Sequence, residues 1–351
     1  MSEAKTNPGH TFEDFAVGQV LEHATPRTLT AGDAALYMGL YGPRFAVQSS
    51  DAFARDIGYP RAPLDDLLVF HTIFGKTVPD ISLNAIANLG YAECRFLRAV
   101  YAGDTLSAKS EVIGLRENAN RASGVVYVRT TGRDGAGETV LEYVRWVMVR
   151  KRDPASAAPA PVVPKLVERV DPAGLGQAVP KLDVSRYDVR LAGAPHRWGD
   201  YAAGEKIDHA DAMTLEEAEH QIATRLYQNT AKVHFNQHEQ AQGQFKRRLI
   251  YGGVVISLAR ALSFNGLGNA FHVAGINGGR HVAPLFAGNT VFAWSEVLEQ
   301  AELPGRADVG ALRLRTIATK DRPCADFPLK AGEADDPAVI LDLDYWVLVP
   351  R

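Results

Sequence analysis

The second half of this chain repeats the first, and nothing else in the sequence constrains the fold as strongly. Gly90, Arg95, Ala102, Gly103, Thr105, Ser110, Glu111 and Val112 recur as Gly275, Arg280, Ala287, Gly288, Thr290, Ser295, Glu296 and Val297, each pair 275 − 90 = 185 positions apart. Nearer the start of each half, Asp14, Gly18, His23, Thr28 and Tyr41 recur as Asp200, Gly204, His209, Thr214 and Tyr227, at 200 − 14 = 186. Trp146–Val149 answers Trp346–Val349. A collinear set of matches at nearly constant offset marks a duplicated unit. The chain therefore divides into residues 1–150, a linker at 151–185 and residues 186–351.

Both halves follow one order of elements. A lead-in segment (Phe12–Val20; Arg197–Ile207) precedes a helical stretch near Ala31–Gly39 and Leu215–Tyr227. A more apolar helical stretch follows, Leu64–Phe74 and Gly253–Phe264, and then several β-runs. Ala311–Thr316 alternates apolar and polar, which predicts a half-buried strand. Gly124–Thr131, the turn residues Gly132–Gly135 and Val140–Arg150 predict a hairpin. The class is α+β, helices first and an antiparallel meander after. Gly253–Leu262 is apolar almost all round, so it must be covered on most sides, and a sheet curled around it would do so. The proline- and alanine-rich residues 151–180 predict a flexible tether or, since Leu166 and Val170 are apolar, a strap packed along the other half.

The charge balance of 38 Lys+Arg against 41 Asp+Glu leaves no field for nucleic acid or an anionic membrane. The two cysteines, Cys94 and Cys324, give no disulfide framework and suit a reducing compartment. Met1–His10 carries no apolar leader, and the longest apolar run, Val254–Leu262, is too short to span a bilayer. A cytoplasmic location is expected. No His, Asp and Glu cluster has metal-ligand spacing and no glycine-rich phosphate loop is visible, so no metal or other cofactor is expected.

The halves differ where chemistry needs a proton. Tyr41 leads to Pro43 and Gln48; Tyr227 leads, at the same spacings, to Asn229 and His234. Only the histidine exchanges protons near neutral pH, as if one site were kept and the other lost. Taken alone, His234 also reads as a polar loop residue. Gly252 and Gly253 open the buried helix of the second half, where free N–H groups favour a developing oxyanion and glycine allows close approach. The Gly253 N–H is the expected donor, although a tight turn explains the glycines too. The first half has Asp65-Asp66 there, which cap a helix but would repel an enolate. Lys246, Arg247, Arg248 and Arg44 are candidate partners for a substrate carboxylate or phosphate, and the basic run also reads as a solvated face. His23, His209, Arg95 and Arg280 recur between halves and are expected to be structural. His272 and His281 are expected to pack, with either able to line a pocket.

Tyr227–His234 resembles the motif of MaoC-like (R)-specific enoyl-CoA hydratases, Y-x-x-S-G-D-x-N-P-L-H, with Asn229 in the place of the aspartate. Leu249–Val255 resembles the same family's I-x-H-G-M segment, which opens its central helix. The resemblance covers both halves. With the length and the stretches NTAKVHFN and YGGVVISLARAL, it is strongest to the mesaconyl-CoA hydratase branch. It implies two tandem hot-dog domains forming a double hot-dog, the first silent and the second active. It also implies reversible hydration of a short branched dicarboxylic enoyl-CoA, with an acyl-CoA as the partner and further self-association into a homo-oligomer. His234 carries over as acid–base group and Tyr227 as a substrate-binding residue. Asn229 cannot ionise, so a helper carboxylate is sought among Glu239, Asp65 and Asp66. An enoyl-CoA hydratase for another acyl chain, a non-catalytic acyl-CoA binder and a hot-dog thioesterase using Asp65 or Asp66 are the alternatives.

Overall fold

A computed structural model describes residues 5–351. Helix α1 (Ala31–Tyr41) starts where Asp33 Oδ2 accepts the Thr30 N–H (2.8 Å) and Thr30 Oγ1 accepts the Asp33 N–H (3.2 Å), a reciprocal cap. Helix α2 (Asp66–Thr77) is capped by Asp65, whose Oδ1 accepts the Leu67 N–H. The second half answers with α3 (Glu217–Leu226) and α4 (Gly252–Leu262). Tyr251 stands at the N-cap of α4 and supplies no side-chain cap. Thus α2 begins on a carboxylate, while α4 begins with its first N–H groups open. Residues 253–262 of α4 are all buried, as their largely apolar sequence demands. Each fully buried Val, Ile or Leu contributes about 1.5–3 kcal/mol.

The long strands are β1 (Val20–Thr28), β2 (Ala85–Phe96), β3 (Thr105–Glu117), β4 (Ser123–Arg133), β5 (Thr139–Arg150), β6 (Lys206–Thr214), β7 (His272–His281), β8 (Thr290–Glu302), β9 (Val309–Lys320) and β10 (Val339–Pro350). They form one antiparallel sheet in the order β1-β3-β4-β5-β2-β7-β10-β9-β8-β6. Each half contributes five strands in the same internal order, and β2 against β7 is the seam, with Cys94 opposite Ile276. The β4–β5 pair is the hairpin expected from its turn residues. α2 and α4 lie back to back inside the curled sheet, and His71 Nε2 of α2 meets Ser257 Oγ of α4 at 3.2 Å. The result is the α+β double hot-dog expected from the sequence.

The repeated histidines occupy equivalent scaffolding positions. His23 Nε2 lies 2.8 Å from Ser110 Oγ and His209 Nε2 lies 2.8 Å from Ser295 Oγ. Each serine meets a threonine, Thr130 and Thr316, at 2.7 Å. Residues 151–185 form a strap rather than a loose tether. Val162 bridges to Leu115, the Val170 N–H donates to Asn277 Oδ1, and Leu175, Val179 and Leu182 are buried. Arg306 holds the strap by donating to the carbonyls of Gly176, Val179 and Pro180.

Candidate active site

A cavity of about 310 Å³ opens at the N-terminus of α4. One wall comes from the second half: Asn229, Ala231 and His234 from the loop after α3, Tyr251 and Gly252 at the helix start, and His281 at the end of β7. The facing wall belongs to the first half: Phe74 of α2, Ser82 after it, Asn88 and Tyr91 of β2, and Arg145 of β5. The site therefore straddles the two halves and is not confined to the second.

His234 is held by one bond that sets its tautomer. Its Nδ1 lies 2.9 Å from the Leu249 carbonyl oxygen, so Nδ1 carries the proton and Nε2 keeps its lone pair. Burial pushes its pKa down to about 4, so the ring is in its neutral, proton-accepting form at pH 7. His281 is lowered to about 4 by burial and then by the charge of His234. Two imidazolium ions therefore do not coexist here. His281 Nε2 lies 3.4 Å from the Tyr91 hydroxyl. Asn229 Oδ1 accepts the Ala231 N–H at 3.0 Å, which leaves the Asn229 amide N–H₂ as the group that side chain can offer.

The helix start is prepared for an anion. His220 Nε2 accepts the Tyr251 N–H at 3.0 Å. The Val254 N–H turns back to the Tyr251 carbonyl. Between them the Gly252 N–H finds no acceptor among the described residues, while the Gly253 backbone packs on the His71 ring. The two glycines face different neighbours, because successive helical residues point about 100° apart. A Cβ on Gly252 would lie 2.3 Å from the His281 ring, whereas one on Gly253 would strike Tyr251 and His71. Gly252, not Gly253, is thus in the cavity wall, and Gly253 is the contact that lets α4 cross α2. Gly252→Ala is expected to push His281 aside and lower kcat/KM at least about tenfold, with a stability loss of about 1–3 kcal/mol from overpacking. Steady-state kinetics beside thermal unfolding checks this, and unchanged turnover would show that the His281 position is immaterial.

Several sequence expectations lie elsewhere. Tyr227 is fully buried away from the cavity, its hydroxyl donating to Tyr41, its own counterpart, at 2.9 Å. It ends α3 and faces the pseudo-twofold between the halves, so it does not line the cavity. Arg44 sits over the Phe264 ring and near Asp211, outside the cavity. Arg248 is tied to Glu217, and Arg247 lies over Phe286 and donates to the Ala287 carbonyl. Lys246 is exposed. None of residues 246–248 lines the cavity, although Phe245 and Leu249 do, so the basic run forms part of the rim. Glu239 pairs with Lys232. Asp66 pairs with His272 (2.9 Å), and Asp65 caps α2. No carboxylate lines the cavity among the described residues, so the expected helper is not found there.

The first half shows why its own site is closed. Phe45 stands where the second half has Ala231, and Gln48, in the place of His234, donates to the Phe271 carbonyl. Only about 20 Å³ remains beside Asp65, too little for an acyl chain, which removes the basis for the thioesterase reading. Arg145, Asn88, Tyr91 and Tyr251 were not singled out in the sequence. The available signal for Arg145 was a cation on the inward face of a strand, between Tyr143 and Val147. Among the described residues no group of three or more His, Cys, Asp or Glu is placed to hold a metal ion, and no helix is long and apolar enough to cross a membrane.

A family model described as mesaconyl-CoA hydratase matches residues 2–332. A β-methylmalyl-CoA dehydratase of Chloroflexus aurantiacus is 61% identical over 350 residues, covering 99% of both chains. A mesaconyl-CoA hydratase of Cereibacter sphaeroides is 59% identical over 353 residues, covering 99% of this chain and 100% of its own. A solved Chloroflexus aurantiacus structure, described as a putative MaoC domain protein dehydratase, superposes with a TM-score of 0.97 at 60% identity over 99% of each chain. A Mycobacterium tuberculosis protein described as a double hot-dog fold superposes with a TM-score of 0.76 at 26% identity, over 97% of this chain and 98% of that one.

Proposed function

Because the chain belongs to the mesaconyl-CoA hydratase family, we propose that it adds water reversibly across the C=C of mesaconyl-CoA, giving 3-methylmalyl-CoA, with His234 as the acid–base group. The observation that carries this reading is the orientation of His234. Its Nδ1–H is anchored to the Leu249 carbonyl, so a neutral Nε2 is free, beside an uncapped helix start and in a cavity without carboxylates.

His234 Nε2 takes a proton from water as the water oxygen bonds to C3. The C=C electron pair moves toward the thioester, and its oxygen becomes an enolate oxygen. The open Gly252 N–H at the α4 N-terminus is suited to meet that charge. The imidazolium then returns the proton to C2, so the elements of one water molecule are added and His234 ends neutral. Asn229, which cannot ionise, holds the water oxygen through its amide N–H. No cofactor takes part in this sequence; the CoA thioester supplies the electron sink. The basic rim at Lys246 and Arg247 suits the phosphates of CoA, and the unpaired buried cysteines suit a cytoplasmic enzyme.

Absorbance at the enoyl-thioester band tests the proposal. Loss of the band with mesaconyl-CoA, faster than with crotonyl-CoA, is expected. Preference for crotonyl-CoA would assign a different acyl chain, and binding without loss of the band would make the protein a binding module.

A further inference from the structure

Among the described residues, Arg145 is the one Lys or Arg lining the cavity, and no carboxylate lines the cavity beside it. It projects from β5, 0% exposed, on the inward face. Its Nη2 donates to Thr77 Oγ1 (2.8 Å) and Ser82 Oγ (3.3 Å), and its guanidinium lies over the Phe74 ring at 4.2 Å. Its Nε and Nη1 have no acceptor. It makes no ion pair among the described residues, and the titratable groups packed around it are the neutral hydroxyls of Tyr143, Tyr91 and Tyr251. Arginine does not escape burial by losing its proton, and a buried cation without a counter-charge is costly. A second orphan adjoins it. Asn88, on the neighbouring strand β2 and in the same cavity wall, has both Oδ1 and Nδ2 buried without partners. The strand register sets Tyr91 opposite Arg145 and Asn88 opposite Val147, so the two side chains belong to one patch of the sheet.

The duplicated half shows that the scaffold does not require this arginine. The counterpart of Arg145 is Tyr345, whose hydroxyl is satisfied by Thr316 at 3.0 Å. The buried arginine of the second half, Arg260, donates to Ser263 Oγ and the Ala270 carbonyl and lies near Asp65 and Asp66, so among the described residues a buried guanidinium with orphaned donors stands only on the side with the open cavity. Unsatisfied donors around a buried positive charge describe a receptor for an anion that arrives and leaves.

We infer that Arg145, with Asn88 beside it, binds the free carboxylate of the acyl group and makes the enzyme selective for dicarboxylic enoyl-CoA thioesters. This rests on the proposed substrate class. In mesaconyl-CoA the free carboxylate is attached to C3, the carbon that receives the water oxygen. Arg145 therefore acts on specificity and on positioning together: fixing the carboxylate fixes C3 against the water held by His234. An acyl chain ending in methyl leaves the guanidinium buried and unpaired, and binds less well for that reason.

The test uses saturated analogues, which bind without reacting. Calorimetric titration of the wild-type protein with methylsuccinyl-CoA and with 2-methylbutyryl-CoA, which replaces the carboxylate by a methyl, is expected to show at least a ~30-fold preference for the former. Arg145→Gln is expected to erase that preference by weakening methylsuccinyl-CoA alone, and Arg145→Lys to restore part of it. Absence of a preference in the wild type, or equal weakening of both ligands in R145Q, would overturn the inference. Should R145Q not fold, Asn88→Ala carries the same comparison. A preference that persists while mesaconyl-CoA is not hydrated leaves the carboxylate site standing and removes the hydratase reading. Hydration without the preference does the reverse.

Discussion

His234→Gln is expected to lower kcat for mesaconyl-CoA hydration by on the order of 10²–10⁴, the range supplied by a positioned acid–base group, while binding of methylsuccinyl-CoA stays near wild type. Glutamine is the informative replacement because the chain already carries it at this place in the first half, as Gln48. It can keep a hydrogen bond to the Leu249 carbonyl and much of the packing against Tyr251, whose ring centroid lies 5.4 Å from that of His234. What it cannot do is accept and return a proton. Steady-state kinetics at the enoyl-thioester band measures the loss, and a kcat close to wild type would transfer the acid–base role to His281. The wild-type pH profile belongs to the same prediction. The base form of His234 is populated above its lowered pKa of about 4, so kcat/KM should be level through neutrality and fall only toward that value.

Acid should unfold the protein before that limb is complete. His71 and His220 are lowered to about 3, and His209, His234 and His281 to about 4, in each case chiefly by burial. Each is neutral in the folded state, whereas in the unfolded chain each takes up a proton near pH 6.5. Their contribution to stability is complete above pH 6.5. It is lost as pH falls from there toward 4, because the unfolded state then binds protons that the native state refuses. Each histidine removes about 1.4 kcal/mol per pH unit within that window. Asp65, raised to about 6 by burial and by Asp66, opposes this, since the folded state takes its proton first. One such group stands against five histidines. With a total stability of about 5–15 kcal/mol typical of a folded protein, a steep unfolding transition is expected between about pH 6 and 4. Urea midpoints followed by tryptophan fluorescence at pH 7.5, 6 and 5 would measure it, and a midpoint constant across that range would refute it.

The duplication was legible because it is a pattern along the chain: eight identities at one offset need no three-dimensional knowledge. The difference between the two loops was legible for the same reason, since Pro43 and Gln48 could be set directly against Asn229 and His234. Arg145 was not legible as a cavity residue. In the sequence it is an arginine in a strand of valines and aromatics. It acquires meaning only once β5 of the first half is seen to face the loop after α3 of the second, about ninety residues away along the chain. Tyr227 misled because the motif fixes its spacing but not its direction, and the last turn of α3 points it at Tyr41. Gly252 and Gly253 were separable only by helical phase, which a pair of identical neighbours does not reveal.

The seam between β2 and β7 gives the tandem arrangement a use beyond tethering. Two identical hot-dog subunits joined there would build both cavities alike, and any arginine placed on the fifth strand would appear in each. Within a single chain the two copies are free to diverge. Here the same strand position carries Arg145 in one half and Tyr345 in the other, and Arg145 lies over Phe74 while Arg260 of the second half lies over Phe45. A ligand whose two ends differ, thioester at one and carboxylate at the other, can then be met by a binding site with two different poles. That polarity is a property of the fused gene product, and neither half on its own encodes it.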